Sequence, residues 1–196
     1  MTDSPPHHEE GRPEDLITLL TADHRRVEAL FERLGQLAGG TGREAKVVAE
    51  QVVIELVRHS VAEELHLYPV VRARVPDGDR IAEHELAEHL DAERTMAELE
   101  GMNPEHEEFW PTVHRLMRQI RQHVQEEENE LFPQLRSVCT TEELVELGRK
   151  AALAKTIAPT RPHPAAPHTP PGNLVLGPMM GVLDRARDIV SGRGRR

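Results

Sequence analysis

Two stretches of the sequence repeat one another, HSVAEELHLYP from His59 to Pro69 and HVQEEENELFP from His123 to Pro133. Each reads histidine, three residues, glutamate, and then an aromatic-proline ending. Residues four apart on an α-helix differ by about 40° around its axis and about 6 Å along it, so His59 and Glu63 project into one space, as do His123 and Glu127. The match runs backwards too. Val52, Leu56, His59 and Glu63 keep the same 4-3-4 spacing as Leu116, Ile120, His123 and Glu127. A stripe that should be wholly apolar therefore acquires a histidine and then a glutamate midway. The preceding segments also correspond: DHRRVEALFERL from Asp23 aligns with EHLDAERTMAEL from Glu88, which sets His24 against His89. The chain reads as a duplicated helical hairpin, each copy offering one histidine and then one H-x3-E pair.

Packed with these stripes inward, four helices bring four imidazoles and two carboxylates to one level of a core. An ionised carboxylate buried without a partner is costly, and two would repel each other. Divalent cations cancel that charge and occupy the donor lone pairs. Six donors exceed what one tetrahedral zinc ion takes, and suit two ions about 3.5 to 4 Å apart bridged by the carboxylates. The expected ligands are His24, His59, Glu63, His89, His123 and Glu127. The ferritin-like carboxylate pattern, an E-x-x-H pair on each of two helices, is absent. One histidine on an apolar stripe is more often a hydrogen-bonded core residue; it is the recurrence of four at matched places that points to metal. Iron, zinc, copper and nickel all accept such donors.

Helices must position these groups. The first helical pattern runs from about Glu14 to Leu37, opened by Pro13 and ended by Gly39, Gly40 and Gly42. A second runs from about Arg43 to Arg74 and stops at the turn Pro76-Asp77-Gly78-Asp79; a third covers about Arg80 to Glu100. A fourth begins at Glu105 or Pro111 and reaches about Arg136. Short connections make neighbours antiparallel. Thr140-Thr141-Glu142-Glu143 reads as a capping box for a fifth helix to about Lys155. The expected fold class is all-α, an up-and-down antiparallel four-helix bundle with an extra C-terminal helix and a Pro-rich tail. Residues 1–12 read as a flexible arm, 13–137 as the bundle, 138–157 as the fifth helix and 158–178 as a Pro-rich linker or wrap. Residues 179–196 read as a short amphipathic helix with a basic end, with Val182, Leu183, Ala186 and Ile189 or Val190 on its apolar side.

The remaining composition narrows the function. With 34 acidic and 24 basic residues the chain carries a formal charge of −10, which repels a phosphate backbone, so nucleic acid is not an expected partner. One cysteine, Cys139, forms no internal disulfide. The N-terminus lacks the basic and apolar regions of a secretory signal, and no run approaches the roughly 20 apolar residues of a transmembrane helix. The cytoplasm is the expected location. His7, His8, His163 and His168, set among prolines and acidic residues, are expected to face water.

At the repeated motifs the chain resembles the hemerythrin-like, or HHE cation-binding, family, over about Asp15 to Arg136. The ordered pair of H-x3-E-E motifs makes the resemblance specific. It implies an oxo- or hydroxo-bridged di-iron centre with two iron ions, His24, His59, His89 and His123 as terminal ligands, and Glu63 and Glu127 bridging. Oxygen-carrying members have a second histidine in the third helix, where Glu93 stands here, and an aspartate five residues after the last histidine, whereas Glu127 follows His123 by four. These departures count against simple reversible oxygen carriage. Three functions would use such a site. It could bind or sense dioxygen or nitric oxide, decompose hydrogen peroxide as a catalase- or peroxidase-like enzyme, or store iron; binding or sensing ranks first. A metal-free interaction protein is the bland alternative. Oligomeric state is not encoded in these patterns.

Other residues stand near the stripe. Glu93 is as much a further ligand as a surface ion-pair partner, while Glu28 is expected to pair at the surface with Arg25 or Arg94. His66, one turn beyond Glu63, is expected to support or line the centre rather than ligate. His84 is a weaker candidate ligand, because Asp91 and Arg94 on its side read as a solvated face. Tyr68 and Phe132 fall about 180° from their own helix's histidine, which predicts packing rather than chemistry. His106 and His114 show no partner spacing and are expected at the surface.

Overall fold

A computed structural model describes residues 14–38, 42–166, 180–188 and 193. Pro13, His7, His8, His168 and the two glycines 39 and 40 lie outside the described residues. The first helix, α1 (Leu16–Gln36), is capped by Asp15, whose carboxylate accepts from the Thr18 N–H at 3.0 Å. Leu16, Leu20, His24, Val27, Phe31 and Leu34 make its buried face, at the spacing of an inward helical stripe.

The second helical pattern is two helices, α2 (Gly42–His66) and α3 (Tyr68–Arg74). Pro69, in the first turn of α3, has no N–H to close an intrahelical bond and crowds the carbonyl four residues back, which accounts for the break at Leu67. Asp77 takes a left-handed conformation, φ 55°, at the turn into α4 (Gly78–Gly101). Gly78 is required there: a Cβ would stand 2.1 Å from the Val71 carbonyl oxygen. The fourth pattern starts at neither expected position. It is α5 (Phe109–Glu126), a π-helical turn over Glu127–Leu131, and α6 (Phe132–Val138). In the π turn the Phe132 N–H bonds to the Glu127 carbonyl, five residues back. Pro133 follows it as Pro69 follows Leu67, so both repeats depart from regular helix ahead of their proline.

The capping box forms: the Thr140 side chain accepts from the Glu143 N–H at 3.2 Å, and the Glu143 carboxylate from the Thr140 N–H at 2.9 Å, starting α7 (Thr141–Ile157). The architecture is an all-α bundle. In it α1 packs on α2, α4 on α5 and α2 on α4, while α7 lies against both α1 and α2. Gly148 lets α7 approach the start of α1, since a Cβ there would be 2.3 Å from the Glu14 carbonyl oxygen.

The apolar core is divided in two. One cluster contains Val27, Phe31, Leu56, Ala92, Met96 and Leu116; the other contains Leu16, Leu20, Ala62, Ala82, Leu131 and Leu135. On each long helix the change from one cluster to the other falls at a histidine or H-x3-E pair. The polar residues thus form one layer between two apolar ones.

The C-terminal part departs from expectation. Residues 158–160 are buried rather than extended in water, and His163, half-buried, places its Nε2 3.0 Å from Asp184. In the helix over 180–188 it is Asp184 that is buried, accepting from the Thr160 and Arg161 N–H groups at 3.2 and 3.1 Å, while Val182 and Leu183 are exposed. The polar side docks because those backbone donors and His163 satisfy the buried carboxylate. Ile189 and Val190 lie outside the described residues. Among the described residues no helix is long and apolar enough to cross a membrane.

Candidate metal centre

All six expected ligands are buried in the polar layer, and Glu63 and Glu127 are wholly so. The Nε2 atoms of His24 and His59 lie 3.2 Å apart, as do those of His89 and His123. Two nitrogens bound to one cation at about 2.1 Å stand roughly 3 to 3.4 Å from each other, so each pair is spaced for a shared ion. Glu63 spans the pairs. Its Oε1 is 3.0 Å from His59 Nε2 and its Oε2 is 3.3 Å from His89 Nε2. Glu127 Oε2 lies 3.3 Å from His24 Nε2 and 3.7 Å from His123 Nε2. Among the described residues, none of the four oxygens of these carboxylates accepts a hydrogen bond. Carboxylates buried in that condition are tolerable only opposite positive charge, and the donors present fit two divalent cations.

The opposite side of every imidazole faces another carboxylate. His24 Nδ1 is 2.8 Å from Glu128, His59 Nδ1 3.5 Å from Asp23, His89 Nδ1 3.4 Å from Glu64 and His123 Nδ1 3.1 Å from Glu88. A proton given from Nδ1 to a carboxylate leaves the Nε2 lone pair aimed at the centre. These four residues were not singled out from sequence, yet the signal was there. Each acid directly precedes a first-helix histidine or directly follows an H-x3-E glutamate, in both copies.

Asp23 reaches further. Lys155 on α7 donates to both its oxygens, and Arg26 Nη1 lies 3.1 Å away. Burial alone would raise the Asp23 carboxyl, but His59 and Lys155 outweigh it and hold it below its ordinary value. The fifth helix thereby touches the carboxylate that faces Nδ1 of His59. Changing Lys155 to Met keeps the stem and removes the charge, and is expected to weaken cation affinity by about tenfold. Equilibrium titration of the apo protein against a competing chelator measures this; an unchanged affinity would remove Lys155 from the site.

Protonation opposes loading. Burial disfavours a charged His59, but Glu63 and Asp23 overcome it and push its pKa up to about 10. His89 is likewise pushed up to about 9 against burial, chiefly by the Glu63 and Glu64 carboxylates beside it. His123 is raised well above its usual 6.5, with Glu127 the main opponent of burial. Without cations these groups carry protons at neutral pH. Their contribution to apo stability is complete below about pH 6.5 and is lost as pH climbs through about 9 to 10. Cation affinity should rise over that same window, and loading at pH 7 should release about two to three protons per chain. A weakly buffered titration with a pH indicator reads the release; none would contradict ligation by these imidazoles.

Other expectations change. Tyr68 does more than pack: its hydroxyl is 2.9 Å from His89 Nε2, beside Glu63. Burial, followed by Glu63 and Glu127, raises that phenol well above its ordinary value, so it stays neutral and able to donate. Phe132 stacks on His24 with ring centroids 5.9 Å apart. Ideal phasing failed here because the break at Leu67 and the π turn both shift residues downstream of them. Glu93 takes no place in the centre; its Oε1 accepts from the His163 N–H at 2.7 Å. Glu28 pairs with Arg121 through 2.6 and 3.0 Å contacts, not with Arg25 or Arg94. His66 is half-buried, its pKa lowered by burial and then by Lys150 of α7, and it belongs to none of the candidate ligand groups among the described residues. His84 is exposed, 3.2 Å from Glu126. His106 and His114 are at the surface, as expected.

The profile of the hemerythrin HHE cation-binding domain matches residues 15–135. The chain belongs to that family. An uncharacterised hemerythrin-like protein of Schizosaccharomyces pombe is 28% identical over 169 residues, covering 86% of this chain and 82% of that one. A Nostoc protein named as a DNA nickase is 27% identical over 138 residues, which span 70% of this chain but 38% of the nickase. The crystal structure of a hemerythrin HHE cation-binding domain-containing protein from Mycobacterium kansasii superposes with a TM-score of 0.62 at 21% identity, covering 72% of this chain and 85% of that one. This likeness shows the hemerythrin-like fold. Lys155 lies beyond the matched domain, so α7 adds to the hemerythrin-like core a cation that acts on its polar layer.

Proposed function

We propose that this hemerythrin-like protein holds two iron ions at the His/Glu centre and binds or senses a small oxygen species, dioxygen or nitric oxide. The observation that carries this reading is Glu63, a buried carboxylate with one oxygen turned to each histidine pair and neither hydrogen-bonded. His24 and His59 would hold one ion and His89 and His123 the other, with Glu63 and Glu127 between them. Mixed imidazole and carboxylate donors suit iron, although zinc or copper would also be accepted. Ferrous ions there would supply the electrons with which dioxygen or peroxide is bound or reduced.

The protein's own residues limit what arrives. A cavity of about 120 Å³ is lined by all four histidines together with Val27, Leu56, Ala92, Met96 and Ile120. That space fits a diatomic molecule, and Ser60, Glu88 and Gln119 stand among the apolar side chains of its wall. Exposed Asp91 and Gln122 also line it, marking a way out between α4 and α5. Asp23, Glu64, Glu88 and Glu128 keep the imidazoles oriented. Tyr68 holds a neutral O–H at the His89 side, from which it can donate a hydrogen bond or proton to an anionic oxygen.

That phenol is the observation favouring the second reading, peroxide decomposition, in which leaving oxygens need a proton source. Stopped-flow absorbance of the anaerobically prepared ferrous protein separates the two. A charge-transfer band that forms with dioxygen and reverses on degassing supports binding. Sustained oxygen evolution from peroxide, slowed in Tyr68→Phe, supports the enzyme. A ferrous protein inert to both would overturn the proposal.

A further inference from the structure

We propose that His84, Glu88 and Glu126 form a surface capture site for divalent cations that feeds the buried centre. This rests on the two-cation reading of that centre. The three side chains present one donor atom each within 4.8 Å of one another, and all are at least partly open to solvent. His84 Nε2 stands 3.2 Å from Glu126 Oε2 and 3.7 Å from Glu88 Oε1. One imidazole nitrogen and two carboxylates make a donor set for a ferrous or similar cation that keeps some of its water.

Glu88 joins the surface to the interior. Its Oε1 faces His84, while its Oε2 is 3.1 Å from Nδ1 of His123. A separate cavity of about 280 Å³ begins beside His84 and Glu126 and includes Asp77, Glu130 and Arg80 on its wall. Its inner wall includes Glu85, which is only 4% exposed. The Oε2 of Glu85 lies 3.0 Å from His123 Nδ1 without hydrogen-bond geometry, which that nitrogen has instead with Glu88. Glu85 also groups with His123 and Glu127, all buried. Carboxylates therefore follow one another from solvent to the centre: Glu126 and Glu88, then Glu85, then Glu127. Four acids against one arginine leave the cavity wall negative, and the chain's charge of −10 favours approach of cations to it. The cavity between α4 and α5 shares no lining residue with this wall, and Glu88 of the capture site stands on its edge.

The test mixes metal-free protein with Co2+ and follows the visible d–d absorption as the buried centre fills, with bound metal counted after desalting. Glu142→Gln, an exposed acid at the start of α7, controls for the loss of one negative charge. Wild type and the control should fill alike. The double variant His84→Ala, Glu126→Gln should fill about tenfold more slowly yet end with the same two equivalents. Circular dichroism confirms that both exposed substitutions leave the helices intact. Filling of the double variant at the wild-type rate would overturn the capture site while leaving the two-cation reading standing. A wild type that takes up no cobalt would overturn both.

Discussion

Replacing His59 and His123 together with alanine will take the protein from about two bound cations per chain to none. Each histidine supplies an Nε2 to a different pair, so the double variant leaves each ion one imidazole and the shared carboxylates. The apo fold suffers too. Glu63 lies 3.0 Å from His59, the contact that most strongly holds its carboxyl well below the ordinary value against burial. Removing one partner of a buried charged pair costs about 3 to 5 kcal/mol. In wild type, cation at a thousand times its dissociation constant adds about 4 kcal/mol of stability. Elemental analysis of untagged protein, with thermal unfolding in the presence and absence of chelator, reads both effects. A wild type that binds no metal and melts identically with chelator would return the polar layer to the metal-free reading.

The second large effect lies in the backbone. Gly148→Val is expected to destabilise the fold by about 1 to 3 kcal/mol. Its Cβ would stand 2.3 Å from the Glu14 carbonyl oxygen, 2.8 Å from the Leu16 nitrogen and 2.9 Å from the Asp15 carbonyl carbon. These are backbone atoms around the start of α1, and none can rotate aside. Helix α7 must move instead, carrying Lys155 away from Asp23. Chemical denaturation should therefore show lost stability, and titration should show weaker cation binding. Gly35→Ala is the comparison, since nothing lies within 4 Å of a Cβ there. Equal stability of Gly148→Val and wild type would mean that α7 does not bear on the bundle.

The repeat made the polar layer legible. Because both copies carry the same spacing, the sequence alone sets His24, His59, His89 and His123 at one depth, and the described core divides in two at that level. What escaped was whatever departs from ideal periodicity or crosses between helices. Regular helix at 100° per residue turns Tyr68 away from the histidines, and the break at Leu67 turns it back. Lys155 was invisible because nothing in the α7 pattern points 132 residues back to Asp23. His163 and Asp184 were missed for the opposite reason. A proline-rich segment suggests solvation by its composition, while its fate depends on one buried carboxylate that its backbone N–H groups can reach. The acids beside each ligand were readable, as neighbours repeated in both copies, but their partners across the bundle were not.

Those partners are exchanged in a particular way. Glu128 orients His24, and Glu64 orients His89, so the first histidine of each hairpin depends on the other hairpin, whereas Asp23 and Glu88 serve their own. A forebear half this length would have owned every residue type needed and still lacked a finished ion cage. It could have completed one only against its twin. Holding both halves in one chain makes that encounter permanent instead of concentration-dependent, with tyrosine at the place in one copy where the other carries phenylalanine.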